Sequence, residues 1–176
     1  PVLYRLCSDP ETFPIYRQIL DTVRLVAPFI DDFVFNPAND NVSLQWKQKG
    51  AEGVFQPYQL SDGTLRFICL ATALMQPSPP ALILMDEPEL GLNPYAIDLL
   101  AALIRQSSFQ TQLIVATQSP AFVSEFEPDN IVVVQRKHGA SYFERLKADA
   151  LKGWLEEYTL GELWQKNVIE GGPAFA

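Results

Sequence analysis

The period of the apolar positions changes several times along this chain, and each change predicts an element. In residues 14–27, Ile15, Ile19, Val23 and Val26 recur at helical spacing with Leu20 beside them. Pro14 suits the first turn of that helix and Pro28 its end. Phe33-Val34-Phe35, a turn rich in Pro, Asn and Asp at 36–41, and the alternating Val42-Ser43-Leu44-Gln45-Trp46 predict a β-hairpin. A third short strand is expected near Val54-Phe55. From Gln59 the pattern shifts. Ser61 is a good N-cap, and Leu65 to Met75 reads as a mostly buried helix closed by Pro77, Pro79 and Pro80. Ala81 to Met85 is a continuous apolar run, the expectation for a central parallel strand buried on both faces. Asn93-Pro94 opens another helix, to about Gln106, with Asn as cap and Pro at its first position. Leu113 to Ala116 and Ile131 to Val134 read as two further buried strands. Residues 149–165 read as an amphipathic helix with Leu151, Trp154, Leu155, Leu160, Leu163 and Trp164.

Strands alternating with helices at this spacing predict an α/β layered fold with a parallel sheet. The expected organisation is one domain over 1–176. Residues 1–58 form a helix plus an antiparallel β-hairpin lobe, 59–148 the core, and 149–176 a C-terminal helical tail. At 176 residues, the length suits one such domain.

Composition narrows the function. Hydrophobic residues make up 48% and charged residues 19%, the balance of a folded globular chain. A formal charge of −8 argues against the surface as a whole being a nucleic-acid footprint. Cys7 and Cys69 are too few and too distant to predict a disulfide or zinc framework, so a reducing, cytoplasmic setting is expected. No apolar run reaches the roughly 20 residues needed to cross a membrane, and no signal peptide opens the chain. Pro1 in place of Met is expected of a processed or excised segment, or of Met removal before Pro. His138, the only His, falls in Arg136-Lys137-His138-Gly139, which reads as an exposed hairpin turn. Cys69, inside the helix that follows Ser61, is expected in the core.

Two segments carry chemistry. Leu82-Ile83-Leu84-Met85-Asp86-Glu87-Pro88 delivers two adjacent acids at the C-terminal end of a strand, where open α/β sheets place their ligands. Phosphoryl transfer needs a carboxylate to hold Mg²⁺ and a group to orient the attacking water. Asp86 fits the first role and Glu87 the second. The plainer alternative is a strand that ends at the surface in two acids. In Leu60-Ser61-Asp62-Gly63-Thr64-Leu65-Arg66, a Ser hydroxyl and a Gly amide at a helix N-terminus form a ready anion site. The plainer alternative there is an ordinary capped helix.

In this order and spacing the two segments resemble the signature motif and Walker B strand of ABC-type ATPases. Glu89-Leu90-Gly91-Leu92-Asn93-Pro94 resembles the D-loop that follows Walker B, and Thr117-Gln118-Ser119-Pro120 stands where the switch motif belongs. The wording LSDGTLRF, DEPELGLNP and ATQSP is most similar to RecF-like and OLD-like AAA-family ATPases, relatives of the SMC proteins. The resemblance implies a partial ABC-ATPase head with parallel core strands flanked by helices. It implies two heads that sandwich ATP as a homodimer. Ser61 and Gly63 of one head, with Asp62 between them, would contact the γ-phosphate bound on the other. Asp86 would support Mg²⁺, Glu87 would polarise water, Asn93 would signal across the dimer, and Gln118 would stand near the γ-phosphate. Gln118 replaces the usual His and cannot carry a positive charge, so slow turnover is expected. Asp62 replaces the Gly common in transporter signatures.

One family feature is absent. Of the 9 glycines none stands directly before a Lys, so G-x-x-x-x-G-K-[ST] does not occur. The expectation is therefore that an upstream Walker A segment of the same protein completes the head, and that this chain alone is inactive. By resemblance the setting is DNA repair or anti-phage defence, with DNA contacts through other regions. The alternatives are a non-hydrolysing, ATP-gated assembly module and a metal-dependent nuclease built on Asp86, Glu87 and Glu89.

Overall fold

The computed structural model describes residues 1–38 and 41–169. It divides into two compact units, Pro1–Val115 and Ala116 onward.

The first unit opens with two helices, α1 (Val2–Ser8) and α2 (Phe13–Val26). The apolar period gives no warning of α1, whose only inward residues are Leu3 and Leu6, spaced i, i+3. On α2, Ile19, Leu20 and Val23 of the predicted stripe are buried, Ile15 and Val26 only partly so, and Tyr16 joins the buried face. Strands β1 (Ile30–Ala38) and β2 (Asn41–Gln48) form the expected antiparallel hairpin, with Phe33 opposite Trp46 and Phe35 opposite Leu44. The tip of its predicted turn, Asn39 and Asp40, lies outside the described residues. The expected third strand reduces to one bridge, in which Trp46 and Phe55 exchange backbone hydrogen bonds of 3.0 and 2.8 Å. Their rings also stack at 4.7 Å.

Helix α3 (Asp62–Met75) packs on α2 and on α4 (Pro94–Ser107). Phe67, Ile68, Ala71 and Leu74 of α3, with Ala96, Leu100, Ala101 and Ile104 of α4, supply the core. Each large side chain of that set is worth roughly 1.5–3 kcal/mol in burial. Cys69 is exposed, against expectation. Its position on the turn of α3 points away from the face that carries Ile68, Ala71 and Leu74, so an apolar sequence neighbourhood did not place it inside. Ser107 Oγ donates to the Leu74 carbonyl at 2.7 Å and ties the end of α4 to the end of α3.

Strands β3 (Leu82–Asp86) and β4 (Gln112–Ala116) are hydrogen-bonded neighbours joined through α4. The amide of Gln112, which opens β4, donates to the carbonyl of Ala81, which precedes β3, at 3.0 Å. The strands therefore start side by side and run parallel, as a helical crossover demands. The expectation that they are buried on both faces is corrected. Alternate residues are exposed, with Leu82 at 43%, Leu84 at 68% and Ile114 at 52%. Among the described residues the sheet has these two strands, and the face carrying these three side chains is left open.

The second unit contains α5 (Pro120–Val123), β5 (Val132–Lys137), β6 (Ala140–Arg145), α6 (Ala148–Leu155) and α7 (Leu160–Gln165). Strands β5 and β6 pair antiparallel through the predicted His138-Gly139 turn, with φ of 52° and 81°. Val132 and Val134 of β5 are exposed rather than buried, for the same reason as in β3. The helix expected over 149–165 breaks in two. Thr159 starts α7 with a capping box, its Oγ1 accepting from Glu162 N at 3.3 Å while Glu162 Oε2 accepts from Thr159 N at 2.8 Å. The Thr159 amide, and after it the Thr159 hydroxyl, donate to the Glu162 carboxylate and hold its pKa below the ordinary value. Leu151, Leu160, Leu163 and Ile169 form the core of this unit, and Trp154 stays half-exposed. The end of the expected tail, residues 170–176, lies outside the described residues.

Candidate functional site

Ser61 caps α3 from extended backbone, and its Oγ accepts from Thr64 N at 3.2 Å. A 3-10 turn over Pro57–Gln59 fixes the approach to it, with Gln59 Oε1 accepting from Gln56 N at 2.7 Å. Asp62 is exposed in the first turn of α3, where its charge suits the positive end of the helix. Gly63 is buried, because the loop after β3 presses on it. A Cβ added there would stand 2.1 Å from the Gly91 carbonyl oxygen. Gly91 meets it with φ of +80°, backbone that favours glycine. Two glycines 28 positions apart in the sequence thus let two backbones touch. Around this contact lies a cavity of about 120 Å³ lined by Val26, Ser61, Thr64, Leu92 and Asn93. Small-molecule sites run to about 300–1,000 Å³, so this one is sized for the edge of a ligand.

The acids sit at the other end of the same loop. Asp86 is exposed at the last position of β3, Glu87 is half-buried, and Glu89 is buried. Glu87 has φ of +42° and precedes a proline. Left-handed backbone is uncommon for a residue with a side chain, and Pro88 restricts it further. Such strain is typically held at about 1–3 kcal/mol by the surroundings. The holding contacts are visible. The Glu87 carbonyl accepts from Leu90 N at 3.1 Å and from Arg66 Nη1 at 2.9 Å. A second turn follows, with Leu92 N donating to the Glu89 carbonyl at 3.0 Å. Asn93 then caps α4, its Oδ1 accepting from Ala96 N at 2.9 Å.

Among the described residues no group of three or more His, Cys, Asp or Glu side chains is arranged to hold a metal ion. That weakens the nuclease alternative, whose Asp86, Glu87 and Glu89 do not form such a group. Mg²⁺ held with a nucleotide keeps most of its waters and takes one or two carboxylates plus phosphate oxygens. Asp86 fits that single-carboxylate role.

Gln118 stands in the second unit and is exposed. Its neighbours are fixed: Thr117 Oγ1 accepts from Ser119 N at 3.0 Å, and Ser119 Oγ caps α5 by accepting from Phe122 N at 3.3 Å. The first unit therefore brings Ser61, Gly63 and Asn93 around one cavity and ties Glu87 to α3. A larger cavity of about 510 Å³ lies on the β5–β6 hairpin beside Val133, His138 and Tyr142, and gathers none of the expected site residues. Arg66 is the residue that sequence reasoning passed over. Its signal was available: it is the only charged side chain in the apolar run from Leu65 to Met75.

Residues 16–124 match the family described as "AAA domain, putative AbiEii toxin, Type IV TA system". No curated protein matches the chain in sequence. Among solved structures it is similar to a chain from work on ATP-driven dimerization and DNA-stimulated activation of SMC ATPases. Identity there is 21% and the TM-score 0.58, over 81% of this chain and 89% of that one. It is similar to the Smc head domain of Pyrococcus furiosus with an extended coiled coil, bound to the C-terminal domain of ScpA, at 23% identity and TM-score 0.63, over 84% of this chain and 38% of that one. A third, SmcHead bound to the C-winged helix domain of ScpA, gives 22% identity and TM-score 0.64, over 81% and 45%. At these identities the likeness is one of fold, and the chain spans less than half the length of the latter two. Among the described residues no helix is long and apolar enough to cross a membrane.

Proposed function

We propose, starting from the fact that the chain belongs to this AAA domain family, that it supplies the signature and Walker B part of a cytoplasmic, ATP-hydrolysing head. The observation that carries the reading is the single loop between β3 and α4. It bears Asp86 and Glu87 at one end, presses Gly91 on Gly63 in the middle, and caps α4 with Asn93 at the other. The strained backbone of that loop sits on the residue with the proposed catalytic carboxylate.

Each residue then has a task. Asp86 would hold the Mg²⁺ that accompanies ATP, and Glu87 would orient and polarise the attacking water. Ser61 and the N-terminal amides of α3 would meet the γ-phosphate bound on a second copy, since a helix N-terminus favours an anion. Gln118 would donate a hydrogen bond to phosphate without adding charge, which makes turnover slow. The small cavity at Ser61 fits a site that closes only when two heads meet. A Walker A segment upstream would complete each head, since the sequence has no G-x-x-x-x-G-K-[ST]. Repair of DNA or defence against phage is the proposed setting.

Glu87→Gln in the ATP-hydrolysing protein that carries this chain decides the matter. Turnover should fall by about 10²-fold or more, while ATP-driven dimers persist or strengthen. Unchanged turnover would remove Glu87 from the chemistry. A protein with dimers but no wild-type turnover would be the non-hydrolysing assembly module.

A further inference from the structure

Arg66 lies a little over one turn into α3, on the helix whose first residues form the proposed phosphate contact. Its guanidinium reaches across to the Glu87 carbonyl at 2.9 Å, 21 residues away in sequence. That carbonyl belongs to the peptide between Glu87 and Pro88. Proline has no amide hydrogen, so this peptide, which follows the φ of +42° at Glu87, is held by hydrogen bonds to its carbonyl alone. The same oxygen receives the Leu90 amide at 3.1 Å, so Arg66 completes a pair of donors on one acceptor. Arg66 is half-buried, and its planar guanidinium offers several donors in a fixed geometry.

We infer that Arg66 is a positioning residue. It holds the Glu87 peptide in its left-handed conformation and links the Glu87 of each head to the phosphate contact that the same head makes with its partner's nucleotide. This rests on the reading of Glu87 as the water-orienting group. The physical basis is rigidity. Helix α3 moves as one body, so a shift of its N-terminus when phosphate arrives is felt at Arg66 and passed to the peptide that aims the carboxylate. The two nucleotide sites of a dimer are thereby coupled through each signature helix, with no need for a separate relay.

The test has two readouts. On the 176-residue chain, hydrogen exchange at the Leu90 amide should be about tenfold faster in Arg66→Ala than in the wild type, and restored in Arg66→Lys, whose ammonium can still donate to the carbonyl. In the ATP-hydrolysing protein, Arg66→Ala should lower kcat by about 10- to 100-fold, leave KM for ATP within about twofold, and lower the cooperativity of turnover in ATP. Arg66→Lys should recover most of kcat. If Arg66→Ala fails to fold, Arg66→Gln and Arg66→Lys carry the same comparison. Wild-type turnover and cooperativity in a folded Arg66→Ala, with Glu87→Gln inactive, would overturn the inference and leave the role of Glu87 intact. Equal turnover in wild type and Glu87→Gln would instead sink the underlying reading, and unchanged Leu90 exchange would then show that Arg66 does not hold the peptide either.

Discussion

Tyr16 is 1% exposed on α2, yet its hydroxyl donates to Asp32 Oδ1 at the start of the hairpin at 2.5 Å. Burial, then the bond to Asp32 and its negative charge, push the phenol pKa well above the ordinary range. Burial and the same Asp32 charge also push the Cys7 thiol up, which makes Cys7 a poor nucleophile at neutral pH. Losing a hydrogen bond to a charged acceptor costs about 1.5–3 kcal/mol. Tyr16→Phe should therefore destabilise the chain by that amount in urea unfolding at pH 7. The pH dependence has a definite sign. Because the folded pKa is raised, the unfolded chain releases the phenol proton first. The stabilisation is whole below about pH 10, the ordinary phenol value, and declines above it. The gap between wild type and Tyr16→Phe should shrink as urea curves are taken from pH 9 to pH 11. A gap that holds constant across that window would mean the hydroxyl is not bonded as described.

At the scale of elements, glycines decide which helices can approach which loops. Gly63→Ala sets a methyl group 2.1 Å from the Gly91 carbonyl, backbone against backbone. Overpacking of this kind costs about 1–3 kcal/mol, and the loop carrying Asp86 to Asn93 must lift from α3. Both unfolding stability and ATP-driven dimerisation should fall. Gly153, inside α6, meets nothing within 4 Å. Gly153→Ala should be neutral or stabilise by about 0.4–1 kcal/mol, so the pair separates close approach from helix propensity. Equal behaviour of the two variants in denaturant would contradict the Gly63–Gly91 contact. Gly161 repeats the first case in the second unit, where an added Cβ would meet the Pro120 carbonyl at 2.1 Å and part α7 from α5.

Across the whole molecule, the half-exposed face of β3 and β4 is the feature that an isolated domain would not choose. Leu82, Leu84 and Ile114 lie there in one patch. Covering the exposed part of each is worth about 1 kcal/mol, which for a chain of this size raises Tm by roughly 6–12 °C in all. If the proposed upstream Walker A segment covers this face, joining it should produce that rise. Calorimetry of the 176-residue chain alone should detect no Mg-ATP binding at millimolar nucleotide, and the longer protein should bind. Tight, Mg²⁺-dependent binding to the chain alone would mean it contains a complete pocket, and the two-part reading of the head would be wrong.

The sequence by itself determined whatever rests on local order. Helical spacing on α2, the Ser61 and Asn93 caps, the His138-Gly139 turn and the sequence of motifs from Ser61 to Asn93 all follow from residues near one another. Burial did not follow, because an apolar run is equally compatible with a covered strand and an open one. Leu84 and Cys69 are exposed for lack of a neighbour, and the chain's own pattern cannot say which neighbours it meets. Nor could it join Arg66 to Glu87 or Gly63 to Gly91, contacts across more than 20 positions that arise only when α3 and the loop after β3 are brought together. Tertiary structure alone decided these, since close approach depends on the path of the backbone in space rather than on the order of its residues.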